Sequence, residues 1–180
     1  MEIRQATVAD AAEILALQKL AYISEARIYD DNTIPPLTQS IEELIEDFSR
    51  KTFLKAVQDG RIIGSVNGCL KDDRCLIGRL MVHPEFQGRG IGSLLMEAIE
   101  TRFADVRVWE LFTGELSVKN IRLYERLNYR IVRKEPFPGS RIAIVFMRKA
   151  HHSRSNSDGL CYCPGGERID ENAGPKLEKD

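Results

Sequence analysis

The segment HPEFQGRGIGSLLMEAIE, residues His83 to Glu100, decides how the fold is interpreted. It places three glycines, Gly88, Gly90 and Gly92, within five residues and then continues into an apolar stretch with helical spacing. Glycine lets a backbone approach a ligand without interference from a Cβ atom. The start of a helix leaves its first N–H groups unpaired and carries roughly half a positive charge. The segment therefore predicts a seat for phosphate oxygens at the start of a helix.

Three strands joined by short turns precede this segment. Thr52–Gln58 and Arg61–Leu70 flank an Asp59–Gly60 turn, which is typical of a β-hairpin. A polar turn over residues 71–74 then leads into Cys75–Val82. Because short turns join antiparallel neighbours, these strands predict an antiparallel unit ahead of the glycines.

Helices and further strands surround this unit. Pro35–Pro36 is expected to stop any helix in the loop Tyr29–Gln39, and Ser40 with Glu43 is expected to begin the helix that follows, with Ile41, Leu44, Ile45 and Phe48 facing inward. The other predicted elements are a strand at Ile3–Ala6, helices at Ala11–Ala26, 91–103 and Asn120–Leu127 (ended by Asn128), and strands at Val106–Thr113, Ile131–Lys134 and Arg141–Met147 around residues 137–140. The order β-α-α-β-β-β-α-β-α-β-β predicts an α/β (α+β) fold with a mixed, mostly antiparallel central sheet flanked by helices.

Composition limits the classes of function. The chain has 180 residues, enough for one domain with a real core, and its formal net charge is −1. Such a charge gives no field that attracts nucleic acid or an anionic membrane. No apolar run approaches the ~20 residues that cross a bilayer, and no signal-peptide core is visible, so we expect a cytoplasmic protein. Its cysteines are then expected to be reduced thiols: Cys69, Cys75, Cys161 and Cys163.

The C-terminal segment 150–180 differs from the domain expected over residues 1–149. Its only large aliphatic side chains are Leu160, Ile169 and Leu177. A segment so poor in apolar surface does not offset its ordering entropy, which predicts a flexible polar tail. The pair Cys161 and Cys163, with the histidines at 151 and 152, offers a metal site as an alternative, although metal sites usually have better-defined spacing.

Three kinds of phosphate ligand compete for the glycine segment. A P-loop requires lysine after its final glycine, whereas Gly92 is followed by Ser93 and Leu94. A dinucleotide fingerprint requires a glycine where Ser93 stands, although Glu110 lies at a tolerable distance for a ribose contact. That fingerprint normally follows the first strand of a parallel unit, so the hairpin-linked strands disfavour it. Coenzyme A is the third ligand.

Two motifs support coenzyme A. The segment from Leu80 to Gly92 resembles the acyl-CoA signature of the GNAT superfamily of N-acetyltransferases, in which a hydrophobic strand end precedes Val-x-Pro and Gln/Arg-x-x-Gly-x-Gly/Ala. The segment Asn120–Tyr129 resembles the second element of that family, usually Tyr-Glu-x-x-Gly-Phe/Tyr. Both lie in the family's order, and the resemblance covers about residues 1–149.

The resemblance implies an enzyme that uses acetyl-CoA without a metal. Its fourth strand would splay from its fifth, and the backbone of Leu80, Met81 and Val82 would pair with the pantetheine arm in the gap. The N–H near Met81–Val82 would polarise the thioester carbonyl. Pyrophosphate contacts would come from the segment Gln87, Gly88, Arg89, Gly90, Ile91, Gly92 and Ser93.

Tyr124 would act as the general acid that protonates the departing thiolate. The alternative is an amphipathic core tyrosine, because Leu123 and Leu127 flank it at helical spacing. Many family members carry asparagine seven residues before this tyrosine to bond the CoA arm. This chain has Ser117 there and Asn120 four residues before the tyrosine, and either could make that contact.

The general base is left open. Positions at which some members carry a catalytic glutamate are apolar here, namely Leu76 and Phe112. An alkylammonium acceptor must lose a proton before attack, so a base or a water chain is still required. The candidate bases, unranked, are Glu25, Asp30, Glu110 and Glu115.

Acceptor specificity in this family resides largely around the first two helices. Tyr29, Asp30 and Asp31 lie in that loop and would suit a cationic amine, or they are a solvated loop with capping acids. A small primary amine is favoured as the acceptor. The alternatives are a protein lysine or N-terminus, and a non-catalytic acyl-CoA sensor. No nucleic-acid or membrane partner is expected, and a homodimer is compatible with the sequence.

Four other residues receive structural interpretations. Trp109 is expected in the core, and His83 is expected to face solvent in the loop before the glycines. Cys69 and Cys75 are expected to be buried thiols on paired strands.

Overall fold

The computed structural model describes residues 1–136 and 143–150. The predicted order of elements is confirmed, with one short helix added. The predicted turn at 137–140, the start of the strand predicted from Arg141, and the tail with Cys161, Cys163 and the histidines at 151 and 152 lie outside the described residues. The strands are β1 (Glu2–Gln5), β2 (Thr52–Gln58), β3 (Arg61–Lys71), β4 (Arg74–Val82), β5 (Val108–Gly114), β6 (Arg130–Pro136) and β7 (Ala143–Ala150). The helices are α1 (Ala11–Tyr29), α2 (Pro35–Thr38), α3 (Ile41–Arg50), α4 (Ile91–Arg102) and α5 (Val118–Arg126), with 3₁₀ turns at Val8–Asp10 and Pro84–Phe86.

Helix α2 corrects the prediction that Pro35–Pro36 stops any helix. These prolines instead begin a helix, because the first helical position needs no N–H donor and favours the φ angle that proline fixes. Gln18 of α1 holds the segment through its Nε2, which donates to Pro36 O (3.0 Å) and Gln39 Oε1 (2.8 Å). Helix α1 itself continues to Tyr29, past the predicted end at Ala26.

Helix α3 begins as predicted. Ser40 Oγ accepts from Glu43 N (3.2 Å), and Glu43 Oε2 accepts from Ser40 N (2.8 Å), which forms a capping box. Leu44 is buried, but Ile45 is 42% exposed, so its predicted inward orientation is wrong. Consecutive helical residues are about 100° apart, and Leu44 occupies the inward direction.

The sheet has the order β1-β2-β3-β4-β5-β7-β6 and is antiparallel except for the pair β4–β5. These two parallel strands pair only where Arg74–Leu76 lies beside Val108–Glu110. Beyond that point no pairing joins them within the described residues, so a gap opens toward their carboxyl ends. A register shift against β3 and the left-handed backbone of Arg79 (φ 50°) mark a bulge in β4 beside this gap.

Two apolar clusters cover the two faces of the sheet. One joins α4 and α5 to the strands and contains Trp109, as predicted, with Tyr124 and Tyr129. The other joins α1 and α3 to β2 and β3. Cys75 is fully buried as predicted, and burial raises its pKa to about 12, whereas Cys69 is only partly buried. In residues 1–136 and 143–150, no helix is both long and apolar enough to span a bilayer.

Candidate active site

The glycine segment leads into an uncapped helix start. Helical hydrogen bonding in α4 begins with Leu94 N donating to Gly90 O (3.1 Å), so the N–H groups of Ile91, Gly92 and Ser93 point out of the helix end. Gly90 is the N-cap residue and has no side chain that could satisfy them. This end of α4 is therefore suited to an anion.

The three glycines have different reasons to be glycine. Gly88 (φ 75°) and Gly90 (φ 82°) adopt left-handed backbone, and a Cβ atom added to either would meet no atom within 4 Å. Gly92 is helical, and its Cβ would lie 3.4 Å from Leu123 Cδ2 of α5. The first two shape the loop and leave open space beside it, while the third allows α4 and α5 to pack closely.

Side chains of the loop connect it to the end of β4. Gln87 Nε2 donates to Val82 O (3.1 Å), and Arg89 Nη2 donates to Glu85 O (3.0 Å) while lying 5.1 Å from the Phe86 ring. Both side chains are exposed beside the helix start. Their charge and donors thus remain close to the site expected for phosphate.

His83 corrects the prediction of a solvent-facing histidine. Its side chain is only 16% exposed and contacts the edge of the Phe86 ring at a centroid distance of 5.7 Å. Its Nδ1 accepts from Glu85 N (3.3 Å) and so caps the 3₁₀ turn that follows. This hydrogen bond and the contact with Phe86 order the loop before the glycines.

Beyond Leu76 the edge of β4 that faces the gap has no strand partner in the described part of the chain, and Val82 O there accepts from the Gln87 side chain. His83 N donates to Ile63 O (2.8 Å) of β3. Successive residues of an antiparallel strand direct their backbone groups to opposite edges, so the N–H of Val82 points toward the gap. The strand therefore offers an edge to an extended ligand between Leu80 and Val82.

Tyr124 lies on α5 and is 8% exposed. Burial raises its pKa above the ordinary value, and the nearby Tyr22 and Glu25 add to that rise. Its ring meets the Tyr129 ring edge at a centroid distance of 6.1 Å. The phenol is consequently protonated at neutral pH.

A network that the sequence did not predict surrounds Glu25 of α1. Asn120 Nδ2 donates to Glu25 Oε1 (3.1 Å), and Ser117 Oγ donates to Glu25 Oε2. The hydroxyl of Tyr29 contacts Ser117 Oγ (3.2 Å) and accepts from Leu116 N (2.9 Å). The sequence separates Glu25 from Ser117 by 92 residues, and no local pattern relates them.

The other candidate bases have different surroundings. Glu110 is paired with Arg148 and Arg74, and Glu115 is paired with Lys134. Asp30 is the exposed left-handed residue that ends α1 (φ 49°). Leu76 and Phe112 supply no acid, and Phe112 is 57% exposed.

The loop after α1 uses its second aspartate internally. Asp31 Oδ1 accepts from Thr33 N (2.7 Å) and Thr33 Oγ1 (2.6 Å), and these bonds lower its pKa. Tyr29, in contrast, turns toward β5, where a Cβ atom on Gly114 would collide with its hydroxyl. The structure thus separates Tyr29 from the two aspartates that follow it in the sequence.

Arg79 is a further residue that the sequence analysis missed. It stands at the bulge of β4, with its guanidinium 6.0 Å from the centre of the Tyr22 ring. It also lines an open pocket of about 360 Å³ against α2 and α3. The acids of that pocket are already engaged, Glu46 with Arg50 (2.6 Å) and Asp47 with Lys51 (2.8 Å). Among the described residues, no cluster of three or more metal-ligating side chains is present.

Comparisons with known proteins agree with the family resemblance that the sequence motifs indicated. The family model of the acetyltransferase (GNAT) family matches residues 14–129. UPF0157 protein YqkA of Bacillus subtilis is 29% identical over 127 residues, which cover 71% of this chain and 36% of that protein. An uncharacterized N-acetyltransferase of Chlorobaculum tepidum is 30% identical over 137 residues, which cover 76% of this chain and 79% of that protein. The chain thus spans only about a third of the first relative.

Solved structures share the fold. The PaiA N-acetyltransferase of Thermoplasma acidophilum, solved in complex with coenzyme A, has a TM-score of 0.71 at 20% identity, over 83% of this chain and 98% of that one. The ribosomal-protein-S18-alanine N-acetyltransferase of Escherichia coli has a TM-score of 0.70 at 16% identity, over 88% and 99%.

Proposed function

The chain belongs to the acetyltransferase (GNAT) family, and we propose that it moves an acetyl group from acetyl-CoA to a primary amine. The observation that carries this proposal is the gap between β4 and β5, which opens beside the uncapped start of α4. A gap with free strand edges suits the amide-containing pantetheine arm, and the helix start suits a pyrophosphate. No metal is needed for either contact.

The pyrophosphate would bind at the glycine loop. The N–H groups of Ile91, Gly92 and Ser93 point toward the open space that the left-handed Gly88 and Gly90 leave beside them. Arg89 and Gln87 would add a positive charge and a donor. The 0.71 TM-score to a protein solved with coenzyme A is consistent with this placement.

The pantetheine arm would extend along β4, with its amides paired to backbone groups of Leu80 and Val82, while Met81 pairs with Ser65 of β3. The thioester carbonyl would then lie near the N–H groups of Met81 and Val82. Of these, the Val82 N–H points toward the gap, so it is the donor that stabilises the oxyanion. A fixed backbone donor of this kind needs no reorganisation during the reaction.

The reaction would proceed without an acyl-enzyme. The amine nitrogen attacks the thioester carbon, a C–N bond forms and the C–S bond breaks. Tyr124 donates its proton to the departing thiolate, which gives free CoA. Burial and two neighbouring groups keep this phenol protonated until the thiolate appears.

A small amine is the acceptor that we favour. Tyr29 lies near the end of β5 beside Ser117. Asp30 and Asp31 follow it in the sequence, in the loop after α1. Because Asp31 is engaged by Thr33, Asp30 is the freer carboxylate for a cationic acceptor. A protein N-terminus is the second candidate, favoured by the likeness in fold to an enzyme named for acetylating the alanine of a ribosomal protein.

The test is release of free thiol from acetyl-CoA in the presence of polyamines, amino acids, aminoglycosides and peptides. We expect release that depends on one class of acceptor and a matching acetylated product by mass spectrometry. Calorimetry with acetyl-CoA is the parallel control for binding. Acetyl-CoA that binds with no acceptor-dependent release from any class would contradict transfer and favour a sensor of acyl-CoA.

A further inference from the structure

We propose that Glu25 is the general base that removes a proton from the acceptor ammonium, and that Ser117 and Asn120 position its carboxylate rather than bind the CoA arm. The inference rests on the proposed transfer reaction and adds its missing base. It also reassigns two residues for which the sequence suggested a cofactor contact.

The location of Glu25 is the first argument. Asn120, which donates to Glu25 Oε1 at 3.1 Å, lies four residues before Tyr124 on α5. Residues four apart share one face of a helix, so the carboxylate lies on the same side of α5 as the proposed acid. Tyr22, one turn before Glu25 on α1, extends the cluster to Arg79 at the bulge of β4. Glu25 also lies close enough to Tyr124 to raise the pKa of that phenol.

The direction of the hydrogen bonds is the second argument. Ser117 Oγ has one proton, which it donates to Glu25 Oε2. Because that proton is used on Glu25, Tyr29 donates its own hydroxyl proton to Ser117 Oγ at 3.2 Å, and the Tyr29 oxygen accepts from Leu116 N at 2.9 Å. Every donor in this series of hydrogen bonds points toward Glu25, so the bonds hold its carboxyl group in one orientation. A carboxylate accepts more than two hydrogen bonds, so lone pairs remain for an ammonium in the cleft.

Elimination is the third argument. Glu110 and Glu115 already form ion pairs with arginine and lysine side chains, which occupy the oxygens that an acceptor ammonium would contact. Asp30 is exposed at the end of α1, where water competes for an ammonium. Glu25 is half-buried, and its partners in the structure are neutral groups that orient it without taking its charge.

These groups account for every proton in the reaction. An acceptor R–NH₃⁺ gives one proton to Glu25 and attacks as R–NH₂. The tetrahedral intermediate collapses as Tyr124 protonates the thiolate, and the phenolate then takes the second proton from nitrogen. Glu25 returns its proton to solvent. The sum is R–NH₃⁺ plus acetyl-CoA giving R–NH–acetyl, free CoA and one proton.

Several titratable and charged groups surround Glu25. Tyr22 and Tyr29 face it from α1, Tyr124 faces it from α5, and Arg79 lies beyond Tyr22 on β4. Burial raises the pKa of both Tyr22 and Tyr124, so neither loses its proton in the range used for assay. A change in rate between pH 6 and 9 therefore does not come from the ionisation of these two phenols.

The test compares Glu25→Gln with wild type, using the panel amine that wild type acetylates fastest. We expect kcat/KM at pH 7 to fall at least about 100-fold while the Kd of acetyl-CoA changes less than about twofold. The variant must capture the free amine from solution, so its rate should rise about tenfold per pH unit toward the amine pKa near 10. Wild type should stay nearly flat over that range.

The control is Glu97→Gln, which removes an equal charge from an exposed position on α4 and should match wild type throughout.

Ser117→Ala and Asn120→Ala test the two positioning residues. Asn120→Ala is the variant more certain to fold, because Ser117 is buried. If they position Glu25, they should lower kcat about tenfold and leave the Kd of CoA unchanged. If the Kd of CoA rises in either variant while kcat is preserved, these residues bind the CoA arm and do not position Glu25.

Two failures are distinguishable. If wild type acetylates an amine and Glu25→Gln keeps the wild-type rate and pH profile, the base assignment is wrong and the transferase stands. If wild type acetylates no amine in the panel, the proposed function fails and this inference fails with it.

Discussion

Gly90 and Gly60 adopt nearly the same left-handed backbone at two very different places. Gly90 (φ 82°) caps α4 beside the proposed phosphate seat, and Gly60 (φ 77°) lies in the β2–β3 turn. A Cβ atom on either would meet no protein atom within 4 Å. The pair separates the cost of backbone strain from the cost of blocking a ligand.

Gly90→Val is expected to weaken acetyl-CoA binding at least about tenfold, because its side chain enters the space that a phosphate would occupy. Gly60→Val carries a similar strain of about 1–3 kcal/mol and should lose stability but keep its affinity. Calorimetric titration of both variants makes the comparison. If both variants bind acetyl-CoA with equal affinity, the proposal that the glycine loop binds a phosphate is wrong.

Tyr124→Phe is expected to slow turnover at least about tenfold with little change in acetyl-CoA affinity, since only the proton donor is lost. Steady-state kinetics with saturating acetyl-CoA measure the effect. Tyr129→Phe is the matched control: its hydroxyl donates to Glu100 Oε1 (2.8 Å) at a buried structural contact. That variant should lose about 1 kcal/mol of stability and keep its turnover. Normal turnover in Tyr124→Phe would contradict the general-acid role and show that the tyrosine serves only in the core.

At the scale of elements, local chemistry decided most boundaries. The Asp59–Gly60 turn, the Ser40 cap and the left-handed Asn128 (φ 69°) lie where the sequence predicted them, because each depends on a few adjacent residues. The errors have different causes. Gln18 stabilises the helix over Pro35–Pro36 from 18 residues away, whereas His83 is shielded by a local contact with the ring of Phe86.

Ser40→Ala should lower the free energy of unfolding by about 1 kcal/mol, because the side chain accepts from Glu43 N at the start of α3. Chemical denaturation measures this loss. Ser49→Ala is the control, since that hydroxyl bonds only within the last turns of the same helix. A loss in Ser49→Ala equal to that in Ser40→Ala would argue against the cap.

For the whole molecule, the order of elements along the chain and the mostly antiparallel sheet were predicted from the sequence, and the polar cluster around Glu25 was not. The glycine loop is contiguous, so its residues could be identified together. Glu25, Ser117 and Arg79 come from α1, the start of α5 and β4, and only the folded sheet brings these elements into one region. Side-chain contacts across such distances in sequence have no periodic signal.

Acetyl-CoA should raise the melting temperature of the whole domain, because a ligand that binds only the folded chain stabilises it by about 2.7 kcal/mol at 100 times its Kd. ADP is the control, since it carries a pyrophosphate and lacks the pantetheine arm. Its shift at the same concentration should be much smaller. Equal shifts would mean that the β4–β5 gap contributes nothing to binding.

The central claim is direct transfer from acetyl-CoA to an amine, and the most direct measurement follows an isotopic label on the acetyl group. Acetyl-CoA labelled in this way is incubated with the chain and with the amine panel, and free thiol and labelled amide are quantified together. The account predicts one labelled amide per thiol released, with both formed more slowly by Tyr124→Phe. Thiol released without labelled amide, or labelled acetyl found on the protein during turnover, would contradict it.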